Sequence, residues 1–109
     1  MIKIGCDVVE IARIEKSIKN PGFIKKVFTS SEIEHCKNSP QSFAGIYAAK
    51  EACLKALGKG ISLISQVEIT FSESGKPKAV FKNLPYNFEI SISHDAGVAM
   101  AVAAAQEVL

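Results

Sequence analysis

Two lysines and one carboxylate stand out within Ala48-Ala49-Lys50-Glu51-Ala52-Cys53-Leu54-Lys55-Ala56-Leu57-Gly58, a run otherwise rich in strong helix formers. Residues four apart share one face of a helix, so Glu51 and Lys55 project together, while Lys50 lies about 100° round from Glu51. Such a face supports two readings. One is an ordinary solvated Glu-Lys pair, common in helices and stabilising by only about 0.2–0.5 kcal/mol. The other is chemical: a carboxylate is a hard oxygen ligand for a divalent cation, and lysine ammonium groups meet phosphates as compact charges. The helix alone leaves both open. The chemical reading needs partners elsewhere in the chain.

Three further segments offer them. Asp7 closes the alternation Ile2-Lys3-Ile4-Gly5-Cys6-Asp7 and so stands at the C-terminal end of an opening strand. Alone, such an aspartate reads as the cap of a following helix. Lys76 sits in Gly75-Lys76-Pro77, which alone reads as a solvated hairpin turn. His94 ends Ser91-Ile92-Ser93-His94 on the apolar parity of its strand, the ordinary place for a hydrogen-bonded core histidine.

The elements that must position these groups follow from periodicity. Ile11, Ile14 and Ile18 recur at helical spacing, predicting a helix from about Glu10 to Lys19 that shows Arg13 and Lys16 on its other side. Asn20-Pro21-Gly22 stops it. Thr29 caps a second short helix reaching about Cys36. A long helix then runs from roughly Gln41 to Leu57, anchored by Phe43, Tyr47, Leu54 and Leu57, with Gly58 as its left-handed cap. The second half changes period. Val67, Ile69 and Phe71 alternate as one strand, Ala79-Val80-Phe81 returns, and Phe88, Ile90, Ile92 and His94 share one face of the next. In the last strand Val98, Met100 and Val102 alternate with Ala99, Ala101 and Ala103, leaving both faces apolar. That suits a strand between its own core and a subunit interface. An alanine-rich C-terminal helix is the alternative.

Composition bounds the rest. At 109 residues the chain makes one domain, and 48% hydrophobic content without a run of about 20 apolar residues points to oligomerisation rather than membrane insertion. The N-terminus opens directly into a strand pattern with no secretory leader, so the cytoplasm is the expected location. Cys6, Cys36 and Cys53 lack paired spacing and are expected as free thiols. A net charge of +2 is too small to imply nucleic acid.

Together and in this order, several segments resemble holo-acyl-carrier-protein synthase, the small single-domain branch of the phosphopantetheinyl transferases. They are Gly5-Cys6-Asp7-Val8-Val9-Glu10 with Arg13-Ile14, Phe28-Thr29 with Glu32, Ala48-Ala49-Lys50-Glu51-Ala52 through Lys55-Ala56-Leu57-Gly58 and Gly60, Gly75-Lys76-Pro77, and Ser91-Ile92-Ser93-His94. The resemblance covers nearly the whole chain, as one domain over residues 1–109. It implies an α+β fold with a mostly antiparallel sheet packed on one long and two short helices, assembled as a trimer with sites between subunits. It further implies magnesium-dependent transfer of the 4′-phosphopantetheine arm of coenzyme A to a serine of apo-acyl carrier protein. Adenosine 3′,5′-bisphosphate would be released, in support of fatty acid biosynthesis. On this likeness Asp7, Glu51 and Lys55 are catalytic, with Asp7 and Glu51 holding Mg2+. Lys50, Lys55, Lys76, Pro77, Ser93 and His94 bind coenzyme A, and Arg13 with Lys16 meets the acidic carrier; neither nucleic acid nor membrane is a partner.

Three departures from the family pattern stand out. Ile46 occupies a position where an arginine is expected near the nucleotide phosphates, Cys6 replaces an aliphatic residue as a small buried thiol, and the chain is short around Lys37 to Gln41. Two rival readings explain less: a non-enzymatic α+β oligomerisation or ligand-binding module, and a zinc protein using Cys6, Cys36, His35 and His94.

Overall fold

The computed structural model describes residues 1–108. In chain order the elements are β1 (Ile2–Glu10), α1 (Ile11–Ser17), α2 (Pro21–Val27), α3 (Ser30–Cys36), α4 (Pro40–Ala56), a 3-10 helix (Ile61–Gln66), β2 (Val67–Phe71), β3 (Pro77–Phe81), β4 (Tyr86–Asp95) and β5 (Val98–Glu107). The strands form an antiparallel three-stranded sheet in the order β1-β5-β4 and a separate antiparallel pair, β2-β3. Hence the chain is α+β, and its alanine-rich end is a central strand rather than a helix.

α4 lies across the three-stranded sheet because both surfaces are made of small residues. Ala44, Ala48, Ala49 and Ala52 on the helix and Ala99, Ala101, Ala103 and Ala105 on β5 are all fully buried or nearly so. The approach is closest at Gly5, where a methyl group would collide with the Ala52 carbonyl and lie 2.5 Å from the Ala56 nitrogen. Larger side chains close the other flank, with the Phe28 and Phe43 rings 4.9 Å apart and edge-on. Caps fix the helix ends: Ser39 accepts from the Ser42 amide at 3.2 Å, and Gly58 takes a left-handed φ of 66° just beyond the C-terminus.

Several expectations are corrected. β1 does not stop at Asp7 but pairs with β5 through Glu10, opposite Val98, so Asp7 lies inside a strand and caps nothing. Its buried row is Gly5, Asp7 and Val9, whereas Ile2, Ile4, Cys6 and Val8 face away from α4. Cys6, expected buried, is exposed. The first helix ends at Ser17, and Asn20-Pro21-Gly22 starts a helix instead of ending one. Asn20 accepts from the Gly22 amide at 2.8 Å, and proline is tolerated in a first turn whose amides need no intrahelical partner. There are therefore three short helices beside the long one.

The outer face of the three-stranded sheet is open. Ile4 is 71% exposed, Val8 63% and Met100 47%, with Val102 and Ile2 beside them. No helix among the described residues is long and apolar enough to cross a membrane.

Candidate functional site

The close packing of β1 on α4 brings Asp7 to the helix face that carries Glu51 and Lys55. The Lys55 ammonium donates to Asp7 Oδ1 at 3.0 Å, and it remains largely exposed while the aspartate is buried. Asp7 Oδ2 is buried with no hydrogen-bond partner. Native structures seldom strand a buried carboxylate oxygen, so an unpartnered one marks a place for a ligand. Burial raises the pKa of Glu51 above its ordinary 4.5, and the neighbouring Asp7 carboxyl adds to the rise; Lys55 and the Tyr47 hydroxyl oppose it. Asp7 in turn raises the pKa of Lys55. Two carboxyl groups thus share one half-buried recess with an ammonium at its edge.

These donors fit a hard divalent cation. Magnesium is commonly held by one or two carboxylates and completes its shell with phosphate oxygens and water. Among the described residues no group of three His, Cys, Asp or Glu side chains gathers, so Cys6, Cys36, His35 and His94 do not form a zinc set.

Lys50, expected to touch coenzyme A, is instead a core residue. It is fully buried, donates to Glu32 Oε1 at 2.8 Å and to the Val27 carbonyl at 2.6 Å, and lies 5.7 Å from the centre of the Phe28 ring. Glu32 also accepts from the Thr29 amide at 2.9 Å and the Ile69 amide at 2.7 Å. Burial pulls the pKa of Lys50 down while Glu32 pulls it up. The angular step from Glu51 to Lys50 turns one side chain toward the carboxyl recess and the other into the junction of α2, α3, α4 and β2.

A separate cleft of about 460 Å³ opens between the start of α4, the end of β4 and the β2-β3 turn. Lys76, Pro77 and His94 line it, and Ile46 lies in its wall where a cation was expected. Two residues that sequence reasoning did not assign to this site join them. Gln41 Nε2 is 3.0 Å from His94 Nε2, and His35 stacks on Phe71 with ring centres 3.9 Å apart and nearly parallel. Among the described residues no carboxylate lines the cleft. Ser93 points to the opposite side of β4, across from Met100 on the open face. Asp7, Glu51 and Lys55 are also absent from the lining, since β5 lies between β1 and β4. Arg13 and Lys16 line a shallow groove on α1 with Lys19, Glu10 and Glu15.

The 4′-phosphopantetheinyl transferase superfamily matches this sequence over residues 3–105. The chain belongs to that superfamily. Holo-[acyl-carrier-protein] synthases of Chlorobaculum parvum and Fusobacterium nucleatum are 44% and 40% identical to it, over 96% and 94% of this chain and 98% and 97% of theirs. The Helicobacter pylori holo-[acyl-carrier-protein] synthase in complex with coenzyme A superposes with a TM-score of 0.87 at 39% identity, covering 94% of this chain and 99% of that one. The Bacillus anthracis synthase, in complex with CoA (3′,5′-ADP), gives 0.86 at 30%, covering 97% and 96%. The protein is therefore an enzyme, a phosphopantetheinyl transferase of the holo-acyl-carrier-protein synthase kind.

Some features of this transferase had no sequence signal strong enough to find them. His35 and Gln41 enter the cleft only because α3 and the start of α4 fold beside the β2-β3 turn. Asp7, by contrast, was findable as the last polar residue in the alternation of the opening strand.

Proposed function

We propose that this transferase moves the 4′-phosphopantetheine arm of coenzyme A to a serine hydroxyl of an acidic apo-acyl carrier protein. On this reading it releases adenosine 3′,5′-bisphosphate, depends on Mg2+, works in the cytoplasm and supports fatty acid biosynthesis. The observation that carries it is the buried, unpartnered Asp7 Oδ2 beside Glu51 and Lys55.

In this reaction the serine oxygen bonds to the β-phosphorus of coenzyme A as the bond from that phosphorus to the bridging oxygen breaks. The electron pair leaves with the bisphosphate. Asp7 and Glu51 would hold the magnesium ion, which when bound neutralises charge on the pyrophosphate oxygens. Lys55 is exposed beside its contact with Asp7, so its ammonium can reach the same phosphates. The serine proton needs an acceptor. Either Glu51 or a water that the bound ion would hold can take it. The cleft, with Lys76 and His94 and without acids, suits the nucleotide end of coenzyme A.

A trimer accounts for the remaining features. The open face of Ile4, Val8, Met100 and Val102 is an apolar patch of the kind subunits cover. The carboxyl recess and the cleft of one chain are separated by the width of β5, with neighbouring strands about 4.8 Å apart. A complete site then takes its carboxyls from one copy and its cleft from the next, with Ser93 brought in from the covered face. Arg13 and Lys16 give α1 the charge to steer an acidic carrier.

The test is incubation with coenzyme A, Mg2+ and apo-acyl carrier protein, read as the intact mass of the carrier. The expected result is a gain of one phosphopantetheine arm that needs Mg2+ and disappears with Glu51→Gln. No gain across several carriers, or full activity in that variant, refutes the reading.

A further inference from the structure

We infer that Tyr47 is a positioning residue for the transfer reaction: its hydroxyl holds the Glu51 carboxylate in the recess it shares with Asp7. The inference rests on the reading of Glu51 just given. Tyr47 is buried on α4, one helical turn before Glu51, with its ring lying against Phe23 at a centre-to-centre distance of 6.2 Å. The ring alone would satisfy that packing. The hydroxyl is the unexplained part, because a buried phenol oxygen costs desolvation unless it finds a partner.

Its partner is Glu51 Oε1, at 3.5 Å. That is longer than the roughly 2.5–3.0 Å usual for a hydroxyl donor, so the two groups face each other without a tight bond, as catalytic pairs often do before substrate draws them together. The geometry is directional. A carboxylate turns freely about its last bond, so a donor fixed on Oε1 leaves the other oxygen to face Asp7 and the reacting groups. At neutral pH the phenol is a donor. Arg13 of α1 and Asp7 of β1 both act electrostatically on the same hydroxyl. It therefore sits where the carrier-facing helix, the carboxyl pair and α4 meet.

The experiment compares Tyr47→Phe in two backgrounds, the wild-type protein and Glu51→Asp, whose shortened side chain withdraws the carboxylate from the hydroxyl. In the wild-type background kcat falls about ten- to a hundredfold, the worth of one hydrogen bond to a charged group. KM for coenzyme A and for the carrier stays unchanged, and so does Tm. In Glu51→Asp the same substitution has no further effect. A merely structural tyrosine would lower Tm and reduce kcat equally in both backgrounds. That result, or a wild-type kcat for Tyr47→Phe, overturns the inference and leaves the assigned reaction intact. Full activity in Glu51→Gln removes the reading of the site and this inference with it.

Discussion

Lys50→Met separates a core role for Lys50 from a ligand-binding one. Methionine nearly matches the lysine stem in length and flexibility, so the change removes one charge and leaves little cavity. What remains is Glu32, fully buried, with two backbone amides for partners and no cation. Breaking a buried pair from one side typically costs about 3–5 kcal/mol, against a total of roughly 5–15 kcal/mol for a domain. The two surviving amide bonds place the expected loss near the lower figure, about 3 kcal/mol. At about 4–8 °C per kcal/mol for a domain of this size, Tm falls by roughly 12–24 °C. Glu32→Gln alone should cost a comparable amount, because it strands the ammonium. The double variant should lose clearly less than the two single losses added, since neither charge is then left unpaired. Urea unfolding of the four proteins measures all of these values. At a temperature where Lys50→Met is folded, its KM for coenzyme A should equal that of the wild type. A variant that keeps its Tm but raises that KM would return Lys50 to the ligand site and refute the reasoning.

Three further outcomes follow from the geometry. Gly5→Ala should destabilise by about 2–3 kcal/mol, because the new methyl meets backbone of Ala52 and Ala56 that cannot rotate aside. Its kcat should fall further than stability explains, as Asp7 lies two residues along the same row; matched urea curves and turnover rates decide the point. The pKa of Glu51 is raised in the folded, metal-free protein, so without Mg2+ the carboxylate is lost as pH drops through a value above 4.5. The same proton is held more tightly by the folded than by the unfolded chain. It therefore contributes stability below 4.5 that disappears as pH rises through the raised value. A carboxyl-carbon NMR titration of Asp7→Asn should show the Glu51 pKa moving partly back, with burial keeping it from returning fully. Val102→Glu puts a charge amid the open apolar face, and sedimentation should find it monomeric where the wild type is trimeric. A monomeric wild type would end the trimer proposal.

Much of this architecture was legible in the residues because local and tertiary signals agree. The Gly58 cap, the Thr29-Glu32 capping box and the alternation of Phe88, Ile90 and Ile92 all lie where periodicity and cap chemistry put them. The failures have particular causes. Proline followed by glycine is both a helix stop and a permitted helix start, and only the contacts of Phe23 and Val27 decide which it is at Asn20. In β1 alternation locates the strand but points to the wrong row, because the apolar residues Ile2, Ile4, Cys6 and Val8 form the open outer face. The inward row is the smaller one, chosen by the room beneath Ala52 and Ala56. For Lys50 the helix phase was read correctly, yet a buried cation is invisible until Glu32 arrives from another helix. His35 and Tyr47 acquire meaning only from groups brought beside them by folding.

The alanine rows between α4 and β5 have a consequence for how such a protein can change over time. Ala44, Ala48 and Ala52 meeting Ala99, Ala101 and Ala103 leave no slack to absorb an added methyl group. A valine anywhere along this seam would act as a shim, lifting the whole helix and opening the gap between Asp7 and Glu51 from many residues away. Variation is therefore tolerated least where the side chains are plainest. Selection for greater heat resistance would have to work around the rim, on α2, the 3-10 helix and the β2-β3 turn, and leave this thin layer unthickened.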